Sequence, residues 1–102
     1  MVIEWLKFQV DSERREEFIQ KDTEIWTAVL AKRPGFLAKE IWITPDSPTE
    51  VICVIHWATR EQWKSVPQKL LDETEQRFSE AMGNSYQMLE SKEYQVRKFP
   101  HV

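Results

Sequence analysis

The sequence predicts an α+β fold of the ferredoxin-like kind, βαββαβ, built on a four-stranded antiparallel sheet. Three observations lead there. Short β-branched and aromatic runs occupy residues 2–10, 36–44 and 50–58. Two stretches with helical spacing, 12–32 and 65–82, separate them. Pro34-Gly35 and Gly83-Asn84 then supply a stop signal for each helix. Right-handed crossovers place the first and third strands in the middle of the sheet, with both helices on one face.

The first strand sets Val2, Leu6, Phe8 and Val10 on one face and Ile3 and Trp5 on the other. Asp11 or Ser12 offers an N-cap oxygen to the first helix, and Glu13, Glu16 and Glu17 suit its positive end. Lys32-Arg33 close that helix. The second strand offers Leu37, Ile41 and Ile43 to one side and Phe36, Ala38 and Trp42 to the other, and 44–48, TPDSP, turns into the third. The third contains VICVIHWA, with Val51, Cys53, Ile55 and Trp57 on one face and Ile52, Val54 and His56 on the other. Thr59 caps a short helix, REQWKS. Ser65 opens a longer one in the pattern Ser-x-x-Gln, with Pro67 in its first turn. The last strand is expected within 86–99, chiefly 93–99, where many charges suit an edge.

A length of 102 residues predicts one domain, 1–102. The net charge of -3 argues against a nucleic-acid surface, which takes most of its affinity from basic groups. A single cysteine, Cys53, rules out an internal disulfide. No apolar run approaches the roughly 20 residues of a membrane span. The chain opens directly in strand-like sequence, and a cytoplasmic location without membrane attachment is expected. Two histidines and scattered carboxylates give no metal-binding spacing, and there is no phosphate loop or nucleophile elbow. No metal and no cofactor are expected.

Two helices cover only one face of such a sheet, yet the third strand is apolar on both. At about 25 cal/mol per Å², wetting several hundred Å² of it forgoes several kcal/mol. The simplest cover is a second copy, so the chain is expected to be a homodimer. The alternative is that the segment 86–102 folds back over the face.

Helix 1 places Asp22 in the middle of the apolar stripe formed by Phe18, Ile19, Ile25, Trp26, Val29 and Leu30. A carboxylate facing a core needs a partner. His56 on the third strand and Glu4 on the first converge with it if all three face the helices. A carboxylate beside a histidine makes a general base, able to deprotonate a phenol or enol. Trp5, Trp26, Trp57 and Trp63 then supply walls for a small aromatic ligand. The structural alternatives are local pairing of Asp22 with Arg15 or Lys21, a cross-strand basic partner for Glu4, an interface position for His56, and a purely core role for the tryptophans.

The first strand, RPGF (33–36), HWATREQW (56–63) and EYQV (93–96) together resemble the antibiotic-biosynthesis-monooxygenase-like proteins of the dimeric α+β barrel superfamily. More narrowly, the chain looks like small cyanobacterial members of that group. The resemblance implies a sheet-on-sheet dimer with a pocket between sheet and helices in each subunit. It implies a small-molecule-binding protein, at most a cofactor-independent monooxygenase; a non-catalytic ligand- or partner-binding dimer is the alternative. Members that cleave haem use an Asn on the first strand, with a Trp and a His on or near the second helix. Here Glu4 stands near the Asn position, and the 65–82 helix has neither Trp nor His; the only histidines are His56 and His101. That argues against haem degradation.

Overall fold

The computed structural model describes residues 1–99, so His101 and the end of the 86–102 segment lie outside the described residues. Strands β1 (Val2–Val10), β2 (Phe36–Thr44), β3 (Ser47–Trp57) and β4 (Tyr86–Gln95) pair antiparallel in the order β2-β3-β1-β4. The sheet and helices form the expected ferredoxin-like α+β fold. Directly paired residues share a face. The pairs Val2 with Trp57, Glu4 with Ile55, Leu6 with Cys53 and Phe8 with Val51 therefore define the helix-facing side. Ile3 with His56, Trp5 with Val54 and Lys7 with Ile52 define the open side.

The chain leaves β1 through a 3₁₀ turn, Ser12–Arg14, into α1 (Arg15–Lys21). The helix then widens into a π-type stretch, Asp22–Thr27, and finishes as α2 (Ala28–Leu30). No side chain caps its start; the Asp11 carbonyl accepts the Arg14 amide at 2.9 Å instead. Arg14 also donates to the Met82 and Ala81 carbonyls, at 2.8 and 3.3 Å, and so satisfies the end of the other long helix.

α3 (Arg60–Lys64) starts as expected, with the Thr59 hydroxyl accepting the Gln62 amide at 3.1 Å. Ser65 does not cap the longer helix. Its hydroxyl donates back to the Gln62 carbonyl at 2.6 Å, and α4 (Gln68–Met82) begins after Pro67, which sits in extended backbone. Gly35 has φ +87°, and its carbonyl accepts the Ala58 amide at 2.7 Å; a Cβ there would meet the Gln62 side chain.

Two departures matter for the face beneath the helices. β4 begins near Tyr86, well before 93, because an edge strand gains hydrogen bonds along the whole of β1, from Val10–Tyr86 to Val2–Gln95. The register shifts between Lys7 and Phe8. Since β4 lies beside β1 in the sheet plane, 86–95 does not roof the open face. The second departure is on β2, where the register slips between Phe36 and Ala38. Phe36 pairs with Trp57 and Lys39 with Ile55, so both face the helices, and Leu37 is left exposed. Phe36 thus leaves the face it was expected to share with Ala38 and Trp42.

Two apolar clusters fill the space between sheet and helices. One gathers Val2, Leu30, Cys53, Ile55, Trp57 and Val66; the other gathers Val10, Phe18, Val51, Phe78 and Met82. Phe18 and Phe78 meet edge to face with ring centroids 5.2 Å apart.

Candidate functional site

Between the helix-facing side of the sheet and the helices lies a cavity of about 490 Å³. That volume falls in the range of small-molecule sites. Several elements contribute polar or aromatic groups to its wall, among them Glu4 from β1, Asp22 and Trp26 from the π-type stretch, Lys39 from β2, Trp57 from β3 and Trp63 from α3.

Asp22 is 4% exposed. Its partner is Lys39, whose Nζ lies 2.7 Å from Oδ2. Among the described residues Lys39 is the one ion-pair partner of that oxygen, and the pair is buried on both sides. Burial pushes the Asp22 carboxyl above its ordinary range, and the Lys39 ammonium pulls it part of the way back. The local alternatives fall away: Lys21 pairs with Glu24 at 3.4 Å, and Arg15 donates to the Ser47 carbonyl at 3.1 Å.

Glu4 accepts the Trp57 indole N–H at 3.2 Å. Its partner is an indole and not a cross-strand base. Desolvation raises its carboxyl above the ordinary 4.5; the Trp57 bond and the charges of Lys39 and Lys64 oppose that rise. The neutral form is therefore favoured in the fold, and folding stability falls as pH climbs from 4.5 through the raised value. Glu4→Gln retains an acceptor for Trp57 and removes the ionisation. The variant is expected to gain stability relative to the natural protein across that window and to hold the gain above it. Urea midpoints of both proteins against pH check this; parallel profiles would remove Glu4 as the source.

Cys53 lies on the same wall, and burial lifts its thiol to about 12, so it is a packing residue and no nucleophile. At the far end the Tyr86 hydroxyl donates to Glu75 at 2.9 Å.

The structure brings Glu4, Asp22, Trp26, Trp57 and Trp63 to one cavity and sets His56 and Trp5 on the opposite side of the sheet. His56 Nε2 lies 2.6 Å from Glu40 of β2, and Trp5 packs under the Lys92 ammonium at 5.1 Å. The expected convergence of Asp22, His56 and Glu4 thus holds for the two carboxylates only. Strand parity is the cause: Glu4 is in phase with Ile55, and His56 is one residue out of phase. Lys39 was missed. The available signal was its phase with Ile41, two residues on, which put it on the buried side of β2. Among the described residues no three potential metal ligands gather.

The family model for antibiotic biosynthesis monooxygenase matches residues 1–68. The chain belongs to that family. The match takes in β1, the whole first helical run, β2, β3 and α3, and with them every polar group of the cavity's Asp22–Lys39–Glu4 wall. Solved structures share the fold of this antibiotic-biosynthesis-monooxygenase domain over nearly its full length. SnoaB, a cofactor-independent oxygenase from Streptomyces nogalater, superposes with a TM-score of 0.69 at 15% identity, covering 96% of this chain and 94% of its own. A protein of Bacteroides thetaiotaomicron, provisionally described as an antibiotic biosynthesis monooxygenase, gives 0.69 at 18% identity, with 95% and 90% covered. A conserved protein of Methanosarcina mazei gives 0.64 at 16%, with 91% and 89% covered. No curated protein matches the chain. Among the described residues no helix is long and apolar enough to cross a membrane.

Proposed function

We propose that this protein binds a small, flat, hydroxylated aromatic molecule in the cavity and acts on it as a cofactor-independent monooxygenase-like enzyme. One observation carries the reading: Trp26, Trp57 and Trp63 wall a cavity whose polar groups include Glu4, Asp22 and Lys39. The aromatic rings suit a planar ligand. A carboxylate held in a desolvated wall is a candidate acceptor for a phenolic or enolic proton, and the resulting electron-rich anion is the species that reacts with O₂. Asp22 and Glu4 take the proton-handling roles. His56 has no part in the cavity in this reading. The likeness to the SnoaB fold, an oxygenase described as cofactor-independent, supports the same choice.

The second reading is a homodimeric ligand-binding protein without catalysis. The position of His56, across the sheet from the cavity, favours it. Both readings include the dimer. Trp42 and Tyr94 remain about half exposed on or beside the open face, and Ile3, Trp5, Ile52 and Val54 line its centre. His56 and Trp5 are then interface residues.

Titration with 1-naphthol, followed by tryptophan fluorescence, tests binding; oxygen uptake by the same mixture tests turnover. Quenching with uptake above the protein-free rate supports the enzyme. Quenching without uptake selects the binding protein, and a protein that neither quenches nor consumes oxygen with such ligands sinks both. Light scattering should return twice the chain mass; the mass of one chain at micromolar concentration removes the dimer.

A further inference from the structure

We propose that Lys39 is an oxyanion seat: the cavity selects ligands with an acidic hydroxyl, phenolic or enolic, and binds them as the oxyanion against the Lys39 ammonium. The inference deepens the proposed function and rests on ligand binding in that cavity. Lys39 is a buried cation on the cavity wall, with a side chain 4% exposed and one partner, Asp22. Asp22 is the counter-charge of that lysine, 2.7 Å away. The pair therefore presents a cation beside an acceptor. An alcohol-type oxygen that also carries a proton matches both groups at once, whereas an ether or an alkane matches neither.

The proton balance closes within the pair. The ligand O–H bond breaks, an O–H bond forms on the Asp22 carboxylate, and the ligand oxyanion takes over as the counter-ion of Lys39, which stays an ammonium. Burial already favours the protonated carboxyl of Asp22, so the exchange moves charge to where the ligand needs it. The other titratable groups on the wall leave Lys39 as the deep cation. Glu4 on β1 and Glu75 on α4 are carboxyls raised by burial, Asp72 on α4 is an exposed carboxyl, Cys53 on β3 and Tyr86 on β4 hold their protons up to about 12, and Lys64 on α3 is exposed.

The probe is 4-nitrophenol, whose phenolate alone absorbs in the visible. Its ionisation is read when bound to the full chain and when free at the same pH. Bound probe should ionise at lower pH than free probe. Lys39→Met should reverse that, raising the bound probe's apparent pKa by about one unit, a tenfold change in ionisation. Lys39→Arg should restore it. Because Lys39→Met leaves a buried carboxylate alone, the double variant Asp22→Asn/Lys39→Met serves as the folded control, and it should bind the neutral phenol. If 4-nitrophenol binds and the double variant ionises it as the natural protein does, the seat is not Lys39, although the cavity stands. Failure of 4-nitrophenol to bind overturns this inference together with the cavity reading.

Discussion

Lys39→Met is expected to destabilise the protein by about 3–5 kcal/mol, the usual cost of stranding one partner of a buried ion pair. The packing of the methionine is not the difficulty, since its chain follows the lysine stem closely. The loss arises at Asp22, which is 4% exposed and whose Oδ2 is paired with the Lys39 ammonium at 2.7 Å. Stranded there, the carboxyl must take up a proton or draw in water. The penalty should therefore depend on pH. Loss of Lys39 removes the one influence that lowers the Asp22 carboxyl, so its value rises further above the ordinary 3.8. In the variant, stability should be close to natural at acid pH, where Asp22 is neutral, and fall as pH rises through that raised value. Asp22→Asn added to Lys39→Met should recover most of the loss and flatten the profile. Urea unfolding at fixed protein concentration, repeated from acid to neutral pH, reads all three proteins. A pH-independent loss of equal size in the single and double variants would place the cost in packing, away from the charge.

The fold was legible because its signals are local and redundant. Period-two alternation, the Pro34-Gly35 stop and the Thr59 cap each fix an element boundary without knowledge of the rest, and β1 and β2 fall on their expected limits. β4 was harder. Its polar residues carry almost no periodicity, and only the length of its partner β1 determines where it starts. The site divided along the same line. Asp22 stood out as a charge inside an apolar stripe, and it is buried. The side of the sheet on which Glu4 and His56 lie is a question of absolute parity, which depends on which face the helices take. β3 is apolar on both faces and gives no vote. Lys39 was legible from its phase with Ile41, whereas the side taken by Phe36 depended on a register slip, and a bulge leaves no mark in composition. The π-type widening at Asp22–Thr27 was equally silent. It falls where Asp22 and Trp26 enter the cavity wall, in keeping with the tendency of such turns to sit at functional sites.

Trp57→Ala is expected to cost a further class of stability, about 3–5 kcal/mol for an indole removed from a closed core. Trp57 has no exposed surface, joins the cluster of Val2, Leu30, Cys53, Ile55 and Val66, and meets Phe36 edge to face with centroids 5.8 Å apart. It is also the hydrogen-bond donor to Glu4. Two losses are therefore mixed in the alanine variant, and Trp57→Phe separates them. Phenylalanine keeps a ring against Phe36 but gives Glu4 no N–H, so its cost should be about 1–3 kcal/mol, much of it the unpaired acceptor. Because the missing bond is one that lowers the Glu4 carboxyl, Trp57→Phe should also move the Glu4 titration further up, widening the window in which stability falls with pH. Glu4→Gln in the Trp57→Phe background should cancel that extra pH dependence while leaving the volume loss untouched. Should Trp57→Phe instead match the natural protein in both stability and pH profile, the indole N–H contributes nothing, and Trp57 serves the cavity as a wall alone.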